Sequence, residues 1–219
     1  MPLPRGLVAL ALLWTVAAFA ATVGFRAPIQ PTSGAYTPSV RSLLALLALG
    51  ACVLWPVGRL TLSPRGERWR PGRALLDTAS MLVMFHAVYW PLHLVTHWSL
   101  ARAASIDLLL SGWIVAAGGA LALGMRGDAR RPAWACLCMA VAAGGAALDA
   151  VGAGSALPLA LGPFVSLLAL ATASPDLTQP TDWAAAAWPW VPGLVLWGLA
   201  LLTADRTAQP CPAPRVPVA

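Results

Sequence analysis

The chain contains no lysine, and this absence removes several kinds of chemistry. All 14 of its basic residues other than histidine are arginines. Without a lysine amine there is no Schiff base, so a retinal pigment and pyridoxal-dependent catalysis are excluded. Charged residues are also scarce, at 10% of the 219 residues, where a soluble domain has about 25%. With 59% hydrophobic residues, this composition is typical of a membrane protein.

The motifs of common enzymes are missing as well. The chain has no G-x-S-x-G nucleophile, no P-loop, no H-E-x-x-H zinc motif and no histidine boxes on several helices. The four cysteines include no C-x-x-C pair. Cys136 and Cys138 would stand about 200° apart around a helix, which is unsuited to binding one metal ion. The sequence therefore predicts that the protein is not an enzyme.

The dominant pattern is a series of seven apolar segments separated by polar loops. Each segment has 16–24 residues, and a helix of about 20 residues crosses a bilayer. The segments cover residues 7–24, 42–57, 75–98, 104–124, 133–151, 156–173 and 185–203. We therefore predict an all-α, polytopic membrane helix bundle with seven apolar helices, of which six or seven span. In this prediction residues 1–205 form a single transmembrane domain and residues 206–219 a Pro-rich polar tail.

The first segment also has a second interpretation. It follows Arg5, and its AFA-A string resembles the cleavage site of a signal peptide. The apolar run is long for a signal peptide, and more apolar segments follow. We therefore expect a retained first helix.

The distribution of arginine predicts the orientation. Residues 59–73 hold five arginines and residues 125–132 hold three. With seven spans and a cytoplasmic N-terminus, nine arginines lie inside and five outside; with a re-entrant sixth segment the split is eleven to three. The positive-inside rule favours six spans, whereas the length and apolarity of the sixth segment favour seven. Both arrangements place loop 59–73 on the cytoplasmic side of the membrane.

A glycine-containing string occurs in both the fourth and the fifth segments. The string is VAAGGA, at residues 115–120 and 141–146. Small residues let helix backbones approach closely in lipid. We expect these two helices to pack closely against each other.

All three histidines of the chain lie in the third segment. On a helix, His86, Trp90, His93 and His97 would fall within about 60° of one another. His93 and His97 could form half of a metal site, and His86 could be an axial haem ligand. No other segment has a histidine, so we expect no cofactor, with a haem- or metal-binding membrane subunit as the alternative. In a structural role, His86 would hydrogen-bond inside the bundle and the others would join an interfacial belt.

Three aspartates fall within apolar segments, namely Asp77, Asp107 and Asp149. Acids in a membrane are energetically costly and often functional, so Asp107 and Asp149 are candidates for a proton or substrate path in a small transporter component. All three lie within about a turn of a predicted helix end, where water reaches them, and the helix dipole would favour an anion at Asp77 and Asp107.

The longest polar loop, residues 59–73, has a tryptophan among its arginines. Arg65, Arg68, Trp69 and Arg70 suit either anionic lipid headgroups or a protein partner. The net charge of +6 lies in such loops and not on a soluble basic domain, so direct nucleic-acid binding is not expected. We interpret the four residues as the partner-binding surface of a membrane-embedded regulator that holds a cytoplasmic protein.

The character of the whole chain adds a family resemblance. A lysine-free, alanine- and arginine-rich polytopic chain of this size, with short basic loops and no soluble domain, resembles the CarR-type light-responsive membrane anti-sigma factors of bacterial carotenoid regulation. The resemblance implies sequestration of an extracytoplasmic-function sigma factor in the dark, and loss of the protein when light generates singlet oxygen. The histidine segment, with Met81 and Met84, carries oxidisable side chains that suit this response.

Overall fold

The protein is a bundle of helices. Its computed structural model describes residues 5–24, 36–63, 71–96, 98–150, 162–172 and 180–204. In chain order the helices are α1 (Arg5–Thr22), α2 (Thr37–Leu49), a π-helical turn (Gly50–Leu54), α3 (Trp55–Leu62), α4 (Pro71–Leu92), α5 (Leu100–Gly124), α6 (Arg131–Ala150), α7 (Pro163–Thr172), α8 (Pro180–Ala187) and α9 (Trp190–Leu202). Short 3-10 turns, His93–Val95 and Asp128–Arg130, precede α5 and α6. Within the described residues every regular element is helical, so the predicted all-α class is confirmed.

Four helical stretches of the described chain are long and apolar enough to cross a membrane. They are Thr37–Leu62, Pro71–Leu92, Leu100–Gly124 and Asp182–Leu202. The first runs without a break through α2, the π-helical turn and α3, and the last comprises most of α8 and all of α9. Shorter apolar helices cover Gly6–Thr22 and Pro163–Thr172. The apolar helices of a membrane protein are therefore present, but seven spans are not confirmed.

The second and sixth segments have different limits from those predicted. The second is expected at 42–57, but its helix continues to Leu62. Pro56, near the predicted end, lies two residues after the π-helical turn inside this continuous helix and does not end it. The sixth is expected at 156–173, whereas α7 begins at Pro163. Residues 151–161, which include the start of the predicted segment, lie outside the described residues.

The helices alternate between two ends of the bundle. At one end the Arg131 guanidinium donates to the carbonyl oxygen of Ser63, 2.8 Å away, which joins the start of α6 to the end of α3. Arg126 donates to the carbonyl oxygen of Ala200, which joins the end of α5 to the end of α9. We call this the arginine end. The other end, where α4 and α7 finish and α5 and α8 begin, is the distal end.

Helix α5 is the centre of the bundle and is buried along most of its length. It packs most extensively on α9 and next on α4. A Cβ added to Gly118 would collide with Thr78 of α4, and one added to Gly119 would lie 2.7 Å from the Cβ of Leu196 on α9. These glycines therefore admit α4 and α9. The expected close contact of α5 with α6 occurs instead at Gly124, where an added Cβ would lie 2.9 Å from the Cβ of Trp134.

A cavity of about 480 Å³ lies between the middle parts of α5 and α6. Its lining is almost wholly apolar and includes the indole side chains of Trp113 and Trp134. Val141 and Gly144, from the second VAAGGA string, line the same cavity. The second string thus faces this space.

Candidate functional site

Charged side chains inside the bundle are paired, mostly across helices. Each aspartate whose side chain the structure describes contacts a basic residue. The pairs are Arg59–Asp77 at 2.7 Å, His86–Asp107 at 3.2 Å, Arg102–Asp182 at 3.3 Å and Arg131–Asp128 at 2.9 Å. Because an unpaired charge is costly in apolar surroundings, the pairs between helices favour one arrangement of those helices.

His86 and Asp107 meet at the interface of α4 and α5. The two helices are antiparallel, and near the distal end the Tyr89 hydroxyl donates to the carbonyl oxygen of Ala103, 2.7 Å away. One turn deeper, Nε2 of His86 lies 3.2 Å from Oδ1 of Asp107, and Nδ1 lies 2.7 Å from the carbonyl oxygen of Leu82. The side chains are 38% and 17% exposed, respectively. The carboxyl group is thus largely enclosed, with an imidazole nitrogen as its partner.

The predicted histidine face is interrupted. Helix α4 ends at Leu92, one residue after Pro91, whose ring and missing N–H disfavour an α-helix. His93 begins a 3-10 turn, and Thr96 is extended. The prediction of a helix through residues 75–98 is therefore wrong at its C-terminal end.

The histidines do not form a metal centre within the described residues. Both ring nitrogens of His86 face oxygen atoms, and Nδ1 of His93 lies 2.7 Å from the carbonyl oxygen of Trp90. His97 lies outside the described residues. Over the described part of the chain, no group of three His, Cys, Asp or Glu side chains is placed to hold a metal ion.

Several predicted site residues cannot be placed in this arrangement. Arg65, Arg68, Trp69 and Arg70 lie outside the described residues, between α3 and α4. Asp149 belongs to the last turn of α6, but its side chain is outside the described part. The structure thus brings Asp107 to His86 and leaves these other predictions untested.

The arginine end joins the flanks of the two arginine-rich loops. Arg131 is buried and bridges the Ser63 carbonyl and the Asp128 carboxylate. Arg130 is exposed beside it. Burial, together with the charge of Arg130, lowers the pKa of Arg126 below its ordinary value. Ser63, where the described part of loop 59–73 stops, therefore lies beside the end of loop 125–132.

A pair at the distal end was not among the predicted sites. Arg102 is 1% exposed and its Nη1 lies 3.3 Å from Asp182 and 3.2 Å from the carbonyl oxygen of Leu170. Arg102 falls between the predicted third and fourth segments, because the fourth was expected to begin at residue 104. In the structure, α5 begins at Leu100. The available signal was opposite charge, since an acidic linker, residues 174–183 with two aspartates, precedes the last segment and Arg102 precedes the fourth.

The fold and these contacts define a helical protein with four helices long and apolar enough to cross a membrane, as in membrane proteins. Comparison with protein-family models, with curated proteins and with solved structures finds no match. Any functional conclusion therefore depends on the geometry described above.

Proposed function

We propose that this protein is a multi-pass regulator of a bacterial inner membrane, with its arginine end in the cytoplasm. Helices that flank loops 59–73 and 125–132 both end there. Arginine-rich loops are retained on the cytoplasmic side during insertion. At the distal end Arg102 is instead buried against Asp182, so it adds little positive charge to that surface.

The proposed topology has six spans and a re-entrant sixth segment. Helix α7 has 10 residues, which is about 15 Å of rise, or half of the hydrocarbon core of a bilayer. It starts in the middle of the bundle, where a Cβ on Gly162 would lie 3.1 Å from the carbonyl oxygen of Val141. It finishes at the distal end, where Leu170 accepts from Arg102. A helix that starts at mid-depth and finishes at the distal end supports a re-entrant sixth segment. With that topology, eleven arginines lie inside and three outside.

The arginine end, in this proposal, holds a cytoplasmic partner protein. The single observation that carries it is the hydrogen bond from Arg131 to the Ser63 carbonyl oxygen, because this contact places the residue where the described part of loop 59–73 stops beside the start of α6, at the end of loop 125–132. A surface of this charge complements an acidic face on a partner. The resemblance to the CarR-type anti-sigma factors supplies the partner class, an extracytoplasmic-function sigma factor released in response to light.

The proposal is tested by replacing Arg65, Arg68, Trp69 and Arg70 together by alanine. Loss of these side chains should reduce recovery of the sigma factor with the membrane protein from dark-grown cells by at least about tenfold, since interface arginines and tryptophans carry much of a binding energy. Arg41→Ala, near the start of α2, is the control and should leave recovery unchanged.

Immunoblots of the membrane fraction establish that the variant is inserted at the normal level. Normal recovery of the sigma factor with the inserted variant would contradict the assigned surface. Failure to recover any sigma factor with the unaltered protein would contradict the regulatory function itself.

A further inference from the structure

The His86 imidazole lies between a carbonyl oxygen at hydrogen-bond distance and a carboxyl oxygen at ion-pair distance. Nδ1 is 2.7 Å from the carbonyl oxygen of Leu82, and Nε2 is 3.2 Å from Oδ1 of Asp107. A carbonyl oxygen only accepts, so Nδ1 must carry a proton and donate it. In a neutral imidazole, the other nitrogen then has a lone pair and no proton.

This tautomer fixes the number of protons in the contact with Asp107. An ionised carboxylate also only accepts, so a lone pair on Nε2 would face a lone pair on Oδ1. The contact is attractive only when one more proton lies between the two atoms. That proton makes either an imidazolium with a carboxylate or a neutral imidazole with a carboxylic acid, and the two forms contain the same number of protons.

The surroundings make loss of this proton costly. Asp107 is seven residues from the start of α5, which places it about 10 Å inside the bundle from the distal end. Within the described residues His86 is the one basic group at ion-pair distance from it. Deprotonation would leave a net negative charge in a largely apolar interface and would set two acceptors against each other across α4 and α5.

Other titratable groups near this interface already have contacts. Tyr89 donates to the Ala103 carbonyl oxygen, His93 contacts the Trp90 carbonyl oxygen, and Arg102 contacts Asp182 and the Leu170 carbonyl oxygen. The remaining titratable residues of helices packed on α4 or α5, or joined to such helices, are Arg5, Arg41, Cys52, Arg59, Arg73, Asp77, Arg131, Cys136, Cys138 and Asp149.

We propose that His86 and Asp107 form a proton-binding site inside the bundle, in which one proton shared by Nε2 and Oδ1 is taken up from, and released to, water at the distal end. The bound proton holds α4 against α5. Its release removes that attraction one turn below the Tyr89 hydrogen bond. The proposal does not depend on a partner protein, so its test is independent of the test of the proposed regulatory function.

Nitrogen NMR of a protein with a single histidine provides the first test. His93→Gln with His97→Gln leaves only His86, because the chain has three histidines. The protein, labelled with nitrogen-15 histidine, is placed in lipid nanodiscs and titrated from about pH 5 to about pH 9, the range in which histidine ordinarily changes charge. We expect either two protonated ring nitrogens, or one protonated nitrogen together with an infrared band of a protonated carboxyl group, and a single transition that removes the shared proton.

Asp107→Asn in the same background is the matched variant. An asparagine amide donates to Nε2, so the ring should be neutral, with its proton on Nδ1 only, and the shared-proton transition should disappear. A neutral ring without any carboxyl band throughout the titration of the parent protein would overturn the proposal. An unchanged transition after Asp107→Asn would overturn it as well.

Thermal unfolding of the protein with all histidines present keeps the proposal testable if the histidine variants fail to fold. The folded state binds the shared proton and the unfolded chain does not share it, so the unfolding midpoint should fall as the pH rises through the transition. Asp107→Asn should abolish this fall. Equal pH dependence in both proteins would contradict the site.

Discussion

A buried acidic side chain in this bundle is stabilised by the basic side chain that it contacts. Asp77 shows the dependence most clearly, since its side chain is 0% exposed and that of Arg59 is 22% exposed. The two residues also differ in reach. An arginine that loses its partner can extend its guanidinium towards water, while a buried aspartate cannot. Removing either member should therefore have unequal effects.

We expect Arg59→Met to destabilise the protein more than Asp77→Asn. The first change leaves a buried carboxylate without its cation and should cost about 3 kcal/mol, the lower part of the range for broken buried pairs. The second leaves a partly exposed arginine and should cost clearly less. Thermal unfolding in detergent measures both, and the double variant should be more stable than Arg59→Met alone. The reverse order of the two single variants would contradict this explanation.

The residues of the candidate proton site were predictable one by one, but their contact was not. His86 and Asp107 stand out because ionisable residues are rare in apolar segments. The two residues nevertheless supported different hypotheses, a metal or haem ligand and a proton path. Helical periodicity assigns a residue to a face of its own helix, but the sequence of one chain does not give the register between α4 and α5.

The helices themselves follow closely from the apolar runs, whereas their packing partners do not. Predicted and observed limits of α5 agree at Gly124 and differ by four residues at the start. The glycines of this helix were correctly expected to permit close packing, but Gly118 and Gly119 admit α4 and α9, and α6 approaches only at Gly124. A glycine shows that a neighbour can approach, and only the folded chain shows which neighbour does.

We expect Gly118→Ala to destabilise the protein by about 1–3 kcal/mol, the usual cost of overpacking. The new Cβ would collide with the Thr78 side chain. Thr78→Ala in the same protein should restore much of the loss by making room. Gly198→Ala on α9 is the control, since a Cβ there meets nothing within 4 Å and alanine favours helix. Equal effects of the Gly118 and Gly198 substitutions on the unfolding midpoint would contradict the observed packing.

The two ends of the bundle differ in the residues and helices that they contain. Arginine-flanked helix ends gather at one end, and the short α7 together with the Arg102–Asp182 pair lies at the other. The sequence left six and seven spans open, because α7 and the residues before it form a long apolar run. Length and composition alone cannot distinguish a helix that crosses the membrane from a re-entrant segment that returns to the same side, since both bury apolar side chains.

Reporter fusions distinguish the two topologies. With six spans, green fluorescent protein joined after Ala204 should fluoresce and alkaline phosphatase joined there should be inactive, because both would remain in the cytoplasm. Alkaline phosphatase inserted after Leu177, in the acidic linker, should be active. A fluorescent insertion after Leu177 with an active phosphatase after Ala204 would instead support seven spans.

Photocrosslinking in living cells decides whether the arginine end holds the partner. A photoreactive amino acid replaces Arg130, which is exposed beside the junction of the two arginine loops, or Arg41 as the control. We expect the sigma factor to be crosslinked from position 130 in the dark, to be lost from it after illumination, and not to be crosslinked from position 41. A sigma factor crosslinked from neither position, or equally from both, would contradict the proposed regulator.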